Sequence, residues 1–264
     1  MFVDTHCHID SYERHSGESF DVLLERLAHD PDATVQAPEA YIHVACDPAD
    51  FECARELSEK YPNVYAAYGI HPEYVDTETP EDEARLLEFL AHPKCVACGE
   101  FGLDFHYGAD SKAKQIELFE RHLQIGIDSG KPIVLHLREA DDESLDVLRR
   151  ADLHGKKVHV HCFTGSPEYC QKLLELDAEI YVGFTGIVTF KNAQNVRDAA
   201  AIVPVAQMLL ETDSPYMAPI PYRGKPCHSG YIPYIAQALA TVKNMPVEEI
   251  YRLCRENTRR CYGI

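Results

Sequence analysis

Six short stretches of this chain set metal-ligand residue types against apolar runs: "DTHCH" (4–8), "GIHP" (69–72), "GEFGLD" (99–104), "VLHLR" (134–138), "HVHCFTG" (159–165) and "ETDSP" (211–215). In "DTHCH", Asp4, His6 and His8 alternate with Thr5 and Cys7, so on a β-strand all three share one face. Two imidazoles on one face suit a cation but need further ligands, which the later stretches supply. Glu100, between "CVACG" and "FGL", is costly to bury unless a charge compensates it. His6 and His8 with Asp213 suffice for one divalent cation and His136 with His161 for another, with the two oxygens of Glu100 free to bridge them. Such a pair, about 3.5–4 Å apart, orients a substrate, acidifies a water and stabilises both the entering and the leaving oxygen. Mixed imidazole and carboxylate ligation suits Zn²⁺ and Mn²⁺, and the carboxylates also admit Mg²⁺.

Something must bring these residues to one place. Strand-like runs occur at 2–8, 40–46, 63–70, 95–102, 132–137, 157–163, 179–184 and 206–212. Between them, segments such as 79–92 and 111–130 carry apolar residues at helical spacing, as Leu118, Phe119, Leu123 and Ile127 illustrate. Further helical patterns fit 142–151, 166–176, 190–202, 231–243 and 246–260. Eightfold strand-helix alternation predicts a parallel sheet closed as a (β/α)₈ TIM barrel, an α/β fold, in a single domain spanning 1–264. An open doubly wound sheet is the alternative, but the chain has no GxGxxG or Walker loop to hold a nucleotide. In a barrel the site forms at the C-terminal strand ends. The candidate residues fall at or just beyond the ends of six different runs.

Other ligand-type residues read differently. His159 shares a face with His161 one layer deeper, as a supporting or core histidine. Asp4, similarly deep, is expected to orient His6 or His8. His15, His29, His43, His92, His106, His122 and His154 have no partner legible in the sequence. "CVAC" (95–98) resembles half a zinc ribbon, but residues three apart on a strand face opposite sides, and no second CxxC follows.

The 25 basic and 43 acidic residues give a net charge of −18, which argues against a broad electrostatic grip on a polyanion. A bound divalent cation can still invert the local field for a nucleic-acid substrate. Ten scattered cysteines in a chain of 264 residues fit reduced thiols in the cytoplasm. No run approaches the roughly 20 apolar residues that span a bilayer, and neither a secretory signal nor a linker is visible. A monomer is the expectation.

The six motifs, in this order and spacing, resemble the TatD family of metal-dependent deoxyribonucleases, within the amidohydrolase-like TIM-barrel superfamily. The likeness runs from residue 3 to the closing "ENTRRCYG". It implies a barrel with two divalent metal ions that hydrolyses phosphodiester bonds in DNA, as an exonuclease. By motif, His6, His8, Glu100, His136, His161 and Asp213 correspond to the metal ligands and His71 to a contact of the scissile phosphate; Arg138, two residues after His136, is placed either for a further phosphate contact or as a surface arginine. One departure lies in "RGKPCHSGY" (223–231): Cys227, His228 and Ser229 stand where many members carry Asn and Pro. That bears on substrate preference more than on chemistry.

The expected reaction is metal-assisted hydrolysis, with Asp213 taking or orienting the water proton and His71 steadying charge on the phosphate. Two rivals remain at this level. The same centre can serve an amidohydrolase-like or ester hydrolase acting on a small molecule or an aminoacyl-nucleic acid, or it can be a structural metal site without turnover.

Overall fold

A computed structural model describes residues 1–107 and 109–264. Its strands are β1 (Val3–Cys7), β2 (Ala40–Ala45), β3 (Val64–Tyr68), β4 (Cys95–Asp104), β5 (Ile133–Arg138), β6 (Lys157–Val160), β7 (Glu179–Phe184) and β8 (Met208–Leu210). Among the described residues the α-helices are α1 (Ile9–Ser16), α2 (Phe20–Ala28), α3 (Phe51–Lys60), α4 (Pro80–Leu90), α5 (Lys112–Ser129), α6 (Asp141–Arg150), α7 (Pro167–Leu174), α8 (Gln194–Ile202), α9 (Ile232–Lys243) and α10 (Val247–Tyr262). Neighbouring strands pair in parallel in the order β1 to β8. The seam between β8 and β1 is stitched just past the strand ends, where His8 N–H donates to Ser214 O and Asp213 N–H to His6 O, each at 2.9 Å. The fold is a (β/α)₈ barrel.

The apolar core divides in two. Outward residues such as Phe101 and Ile133 pack under helical residues such as Phe119 and Leu123. Inside the barrel, Ile42, Ala67, Ala97, Val134, Tyr181 and Leu209 form a separate buried layer with Cys261 and Tyr262. That layer is the apolar floor on which the polar mouth stands, as close-packed barrel interiors require.

The elements depart from expectation at specific places. Helices α1 and α2 lie where no element is expected from the sequence; Gly17 in the left-handed region ends one, and Ser19 Oγ accepts from Val22 N–H to cap the next. Strand β6 stops before His161, because Cys162 takes a positive φ of 44°. The run expected at 206–212 pairs only over Met208–Leu210, and the helix expected from 190 starts at Gln194. Strand β4 is longer than expected and reaches Asp104. Two glycines flank Glu100 on that strand because β5 crowds it: a Cβ on Gly102 would lie 2.1 Å from His136 O, and one on Gly99 2.3 Å from Val134 O.

Candidate metal centre

Six of the predicted ligands meet at the mouth of the barrel. Glu100 Oε2 lies 3.2 Å from His6 Nε2, 2.7 Å from His161 Nε2 and 3.9 Å from His136 Nδ1. Asp213 Oδ1 lies 3.4 Å from His8 Nε2 and 3.9 Å from His6 Nε2. Glu100 Oε2 thus faces rings assigned to both expected cation sides, and the two sides adjoin, with His6 and His161 stacked at a centroid distance of 3.9 Å. Asp213 reaches in from beyond β8 because its backbone turns at φ 57°, which an aspartate tolerates better than most residues. His71 joins the second side, its ring centroid 4.3 Å from that of His136, and Arg138 lines the same cavity of about 500 Å³.

The hydrogen bonds set which ring nitrogen faces inward. His8 Nδ1–H donates to Val44 O at 2.9 Å, which turns Nε2 toward Asp213 and Glu100. His136 Nε2–H donates to Asp104 at 3.0 Å, leaving the Nδ1 lone pair 3.1 Å from His161 Nε2. Both are the outer-sphere arrangement that fixes a ligating imidazole. His71 is set the opposite way: Glu73 N–H donates to its Nδ1 at 3.2 Å, so its proton sits on Nε2 as a donor. Both ring nitrogens of His6, His161 Nδ1 and Glu100 Oε2 are buried without a hydrogen bond. Unpartnered buried ring nitrogens beside two buried carboxylates cost free energy that a cation relieves. The donor set fits divalent metal.

Charges follow from the same crowding. Burial holds His6 down to about 4, assisted by His161. Burial also opposes protonation of His8 and His161, but Asp213 and Glu100 beside the first and Glu100 beside the second outweigh it, pushing each up to about 9. Glu100 stays well below the usual carboxylate range, because His161 and His6 override its burial. Burial, with His136 nearby, lowers His71 to about 3, so it remains a neutral donor.

Not every expectation is met. Asp4 touches neither the His6 nor the His8 ring; its carboxylate accepts from Thr212 N–H at 3.0 Å, from Thr212 Oγ1 at 2.5 Å and from the His6 backbone at 3.3 Å. It therefore ties β1 to the segment that carries Asp213. Several histidines without a legible partner do have one in space: His43 faces Asp10 at 3.7 Å, His92 faces Glu59 at 3.2 Å and His106 faces Glu139 at 2.6 Å. His228 is buried against Tyr231, with ring centroids 3.8 Å apart, away from the mouth.

Two carboxylates take roles that their place in the sequence does not assign. Asp104 orients His136. Glu211 is fully buried with Oε2 2.9 Å from His159 Nε2, while Tyr262 hydroxyl bonds His159 Nδ1. Its other oxygen accepts from Cys162 N–H, beside His161. The signal was present, since a glutamate inside "MLLET" raises the same burial problem as Glu100.

The chain matches the family described as TatD related DNase over residues 3–263. It is 36% identical over 269 residues to the uncharacterized metal-dependent hydrolase YcfH of Escherichia coli K12, covering 100% of this chain and 96% of that one. It is 34% identical over 269 residues to the human 3'-5' RNA nuclease TATDN2, covering 100% of this chain but only 35% of that protein. Among solved structures it superposes on YJJV, a TatD homologue from Escherichia coli, with a TM-score of 0.86 at 29% identity, covering 100% of this chain and 98% of that one.

Proposed function

The chain belongs to the TatD family of metal-dependent hydrolases, and from that premise we propose that it hydrolyses phosphodiester bonds in DNA, one nucleotide at a time from a strand end, as a cytoplasmic monomer whose residues 1–264 act as one domain. The observation that carries this reading is the sided cluster around Glu100, with a neutral donor, His71, and a cation, Arg138, at its rim. Ten unpaired cysteines support the reducing compartment, and no helix among the described residues is long and apolar enough to cross a membrane.

In this reading His6, His8, Asp213, His136, His161 and Glu100 are the residues that would hold the divalent metal. Two bound cations supply Lewis acidity toward the phosphate and lower the pKa of an attacking water. Asp213, the more exposed of the two central carboxylates, accepts the water proton on Oδ. His71 donates Nε2–H to a non-bridging phosphate oxygen as charge develops there. Arg138, one-third exposed and 3.9 Å from Asp104, orients the same phosphate or its neighbour. Asp104 and Val44 keep His136 and His8 from turning away.

The test is end-labelled single-stranded DNA with Mg²⁺, Mn²⁺ or Zn²⁺, comparing wild type with Glu100→Ala and Asp213→Ala. Stepwise shortening by wild type alone is the expected outcome. Substantial cleavage by either variant would remove these residues from the centre.

One observation favours a second reading. The cavity of about 750 Å³ beside the centre is walled by Glu139, Asp141, Asp142 and Glu143, which repel a polyanion and suit a small ester or amide. Metal-loaded protein that leaves DNA intact but cleaves a small aryl ester would establish that alternative.

A further inference from the structure

A second group of ligating side chains lies outside this centre, behind the loop that carries His71. Glu78 precedes α4, Glu83 lies in its first turn, and His122 stands midway along α5. One ligand atom from each lies within 4.8 Å of the others. His122 is fully buried, and its Nε2 makes no hydrogen bond. Its Nε2 faces Glu83 Oε1 at 3.7 Å, too far for a hydrogen bond, and the ring is held edge-on to Phe101 with centroids 5.9 Å apart. A buried ring nitrogen left without a partner is costly, and buried polar atoms normally find one.

Arg121 is the obvious counter-ion, and it does not complete the group. Its Nη2 lies 3.0 Å from Glu78 Oε2, its Nε 2.8 Å from Glu83 Oε1 and its Nη1 3.6 Å from Glu117 Oε1. Glu78 and Glu83 together carry two negative charges against the single positive charge of Arg121. Glu78 and Glu83 each keep a second oxygen beyond the one Arg121 engages. The guanidinium, a donor only, offers no acceptor to an N–H of His122.

We propose that Glu78, Glu83 and His122 form a divalent-cation site of the zinc or manganese class, separate from the hydrolytic centre. One imidazole and two carboxylates are a three-ligand set that such ions accept, with water filling the remaining position. The cation clasps three pieces of chain. Glu78 lies seven residues after His71 on the same loop, and the backbone of Ile70, immediately before His71, hydrogen-bonds the His122 ring. Its role is to anchor that loop between α4 and α5, and it takes no part in bond cleavage.

The experiment counts zinc. Wild type and the double variant Glu78→Gln/Glu83→Gln are dialysed against Zn²⁺, and bound metal is measured per folded chain. Glutamine keeps an oxygen toward Arg121 and leaves the buried His122 packing intact, so circular dichroism should be unchanged. Wild type should hold one more zinc per chain than the double variant, and the same difference should persist when both carry His6→Ala/His8→Ala. Co²⁺ substituted for zinc should show a visible absorption component missing from the double variant. Equal zinc content in the two proteins overturns the site, as does a difference that vanishes with His6 and His8. Neither result depends on whether the centre cleaves DNA.

Discussion

Asp104 accepts Nε2–H of His136 at 3.0 Å, and this single bond turns His136 Nδ1 to within 3.1 Å of His161 Nε2. Asp104 is held in turn: His106 N–H donates to its carboxylate at 2.9 Å, while Gln115 accepts from its own N–H at 2.9 Å. Each link is short and directional, so the ring has one orientation. Replacing Asp104 by Ala should therefore lower affinity for the cation on the His136–His161 side by roughly 10–100-fold. Competition of the variant and wild type against a calibrated chelator measures it; affinity within twofold would show that His136 is positioned by something else.

Cation binding should release protons. His8 and His161, each raised to about 9, carry protons at pH 7 that a ligating imidazole must lose. Affinity should then climb from pH 6 toward pH 9 and level above it, because fewer protons remain to be displaced. Calorimetric titration in two buffers of different ionisation enthalpy reads the number released. A value near zero at pH 7 would contradict the charge arrangement around Glu100 and Asp213.

His228 should make stability sensitive to acid. Burial, reinforced by Arg26, lowers it to about 3, below the value of about 6.5 expected in the unfolded chain. The unfolded chain therefore binds a proton that the folded one refuses, and stability falls as pH drops through 6.5 toward 3. His228→Phe keeps the ring against Tyr231 and removes the titration. Between pH 8 and pH 5 wild type should lose about 2 kcal/mol more than the variant. Parallel denaturant curves for the two proteins at both pH values would remove His228 from this role.

Gly102 has a φ of 150° and no room for a side chain. Gly102→Ala should cost roughly 2–4 kcal/mol, through backbone strain and displacement of His136 O. Because His136 moves with it, zinc content should fall along with the thermal midpoint. A variant that melts with wild type and binds full metal would show that β4 can yield there.

The sequence by itself determined the barrel and most of its mouth. Strand-helix alternation fixes the topology, because a parallel sheet must be covered by the helices that connect it. The residues proposed as ligands were legible as neighbours because the C-terminal ends of parallel strands converge, so "DTHCH", "GEFGLD", "VLHLR", "HVHCFTG" and "ETDSP" needed only to be strand ends to meet. Tertiary structure decided what depends on contacts across the barrel. Asp4 bonds Thr212 and not the imidazoles beside it in sequence, since closing β1 against β8 puts the Thr212 amide and hydroxyl within reach. Glu211 pairs with His159, and Asp104 with His136, because adjacent or facing strands bring them together across gaps of 52 and 32 residues. Which nitrogen of His8, His71 or His136 faces inward is likewise set by a distant or backbone partner, and no spacing rule along the chain encodes that choice.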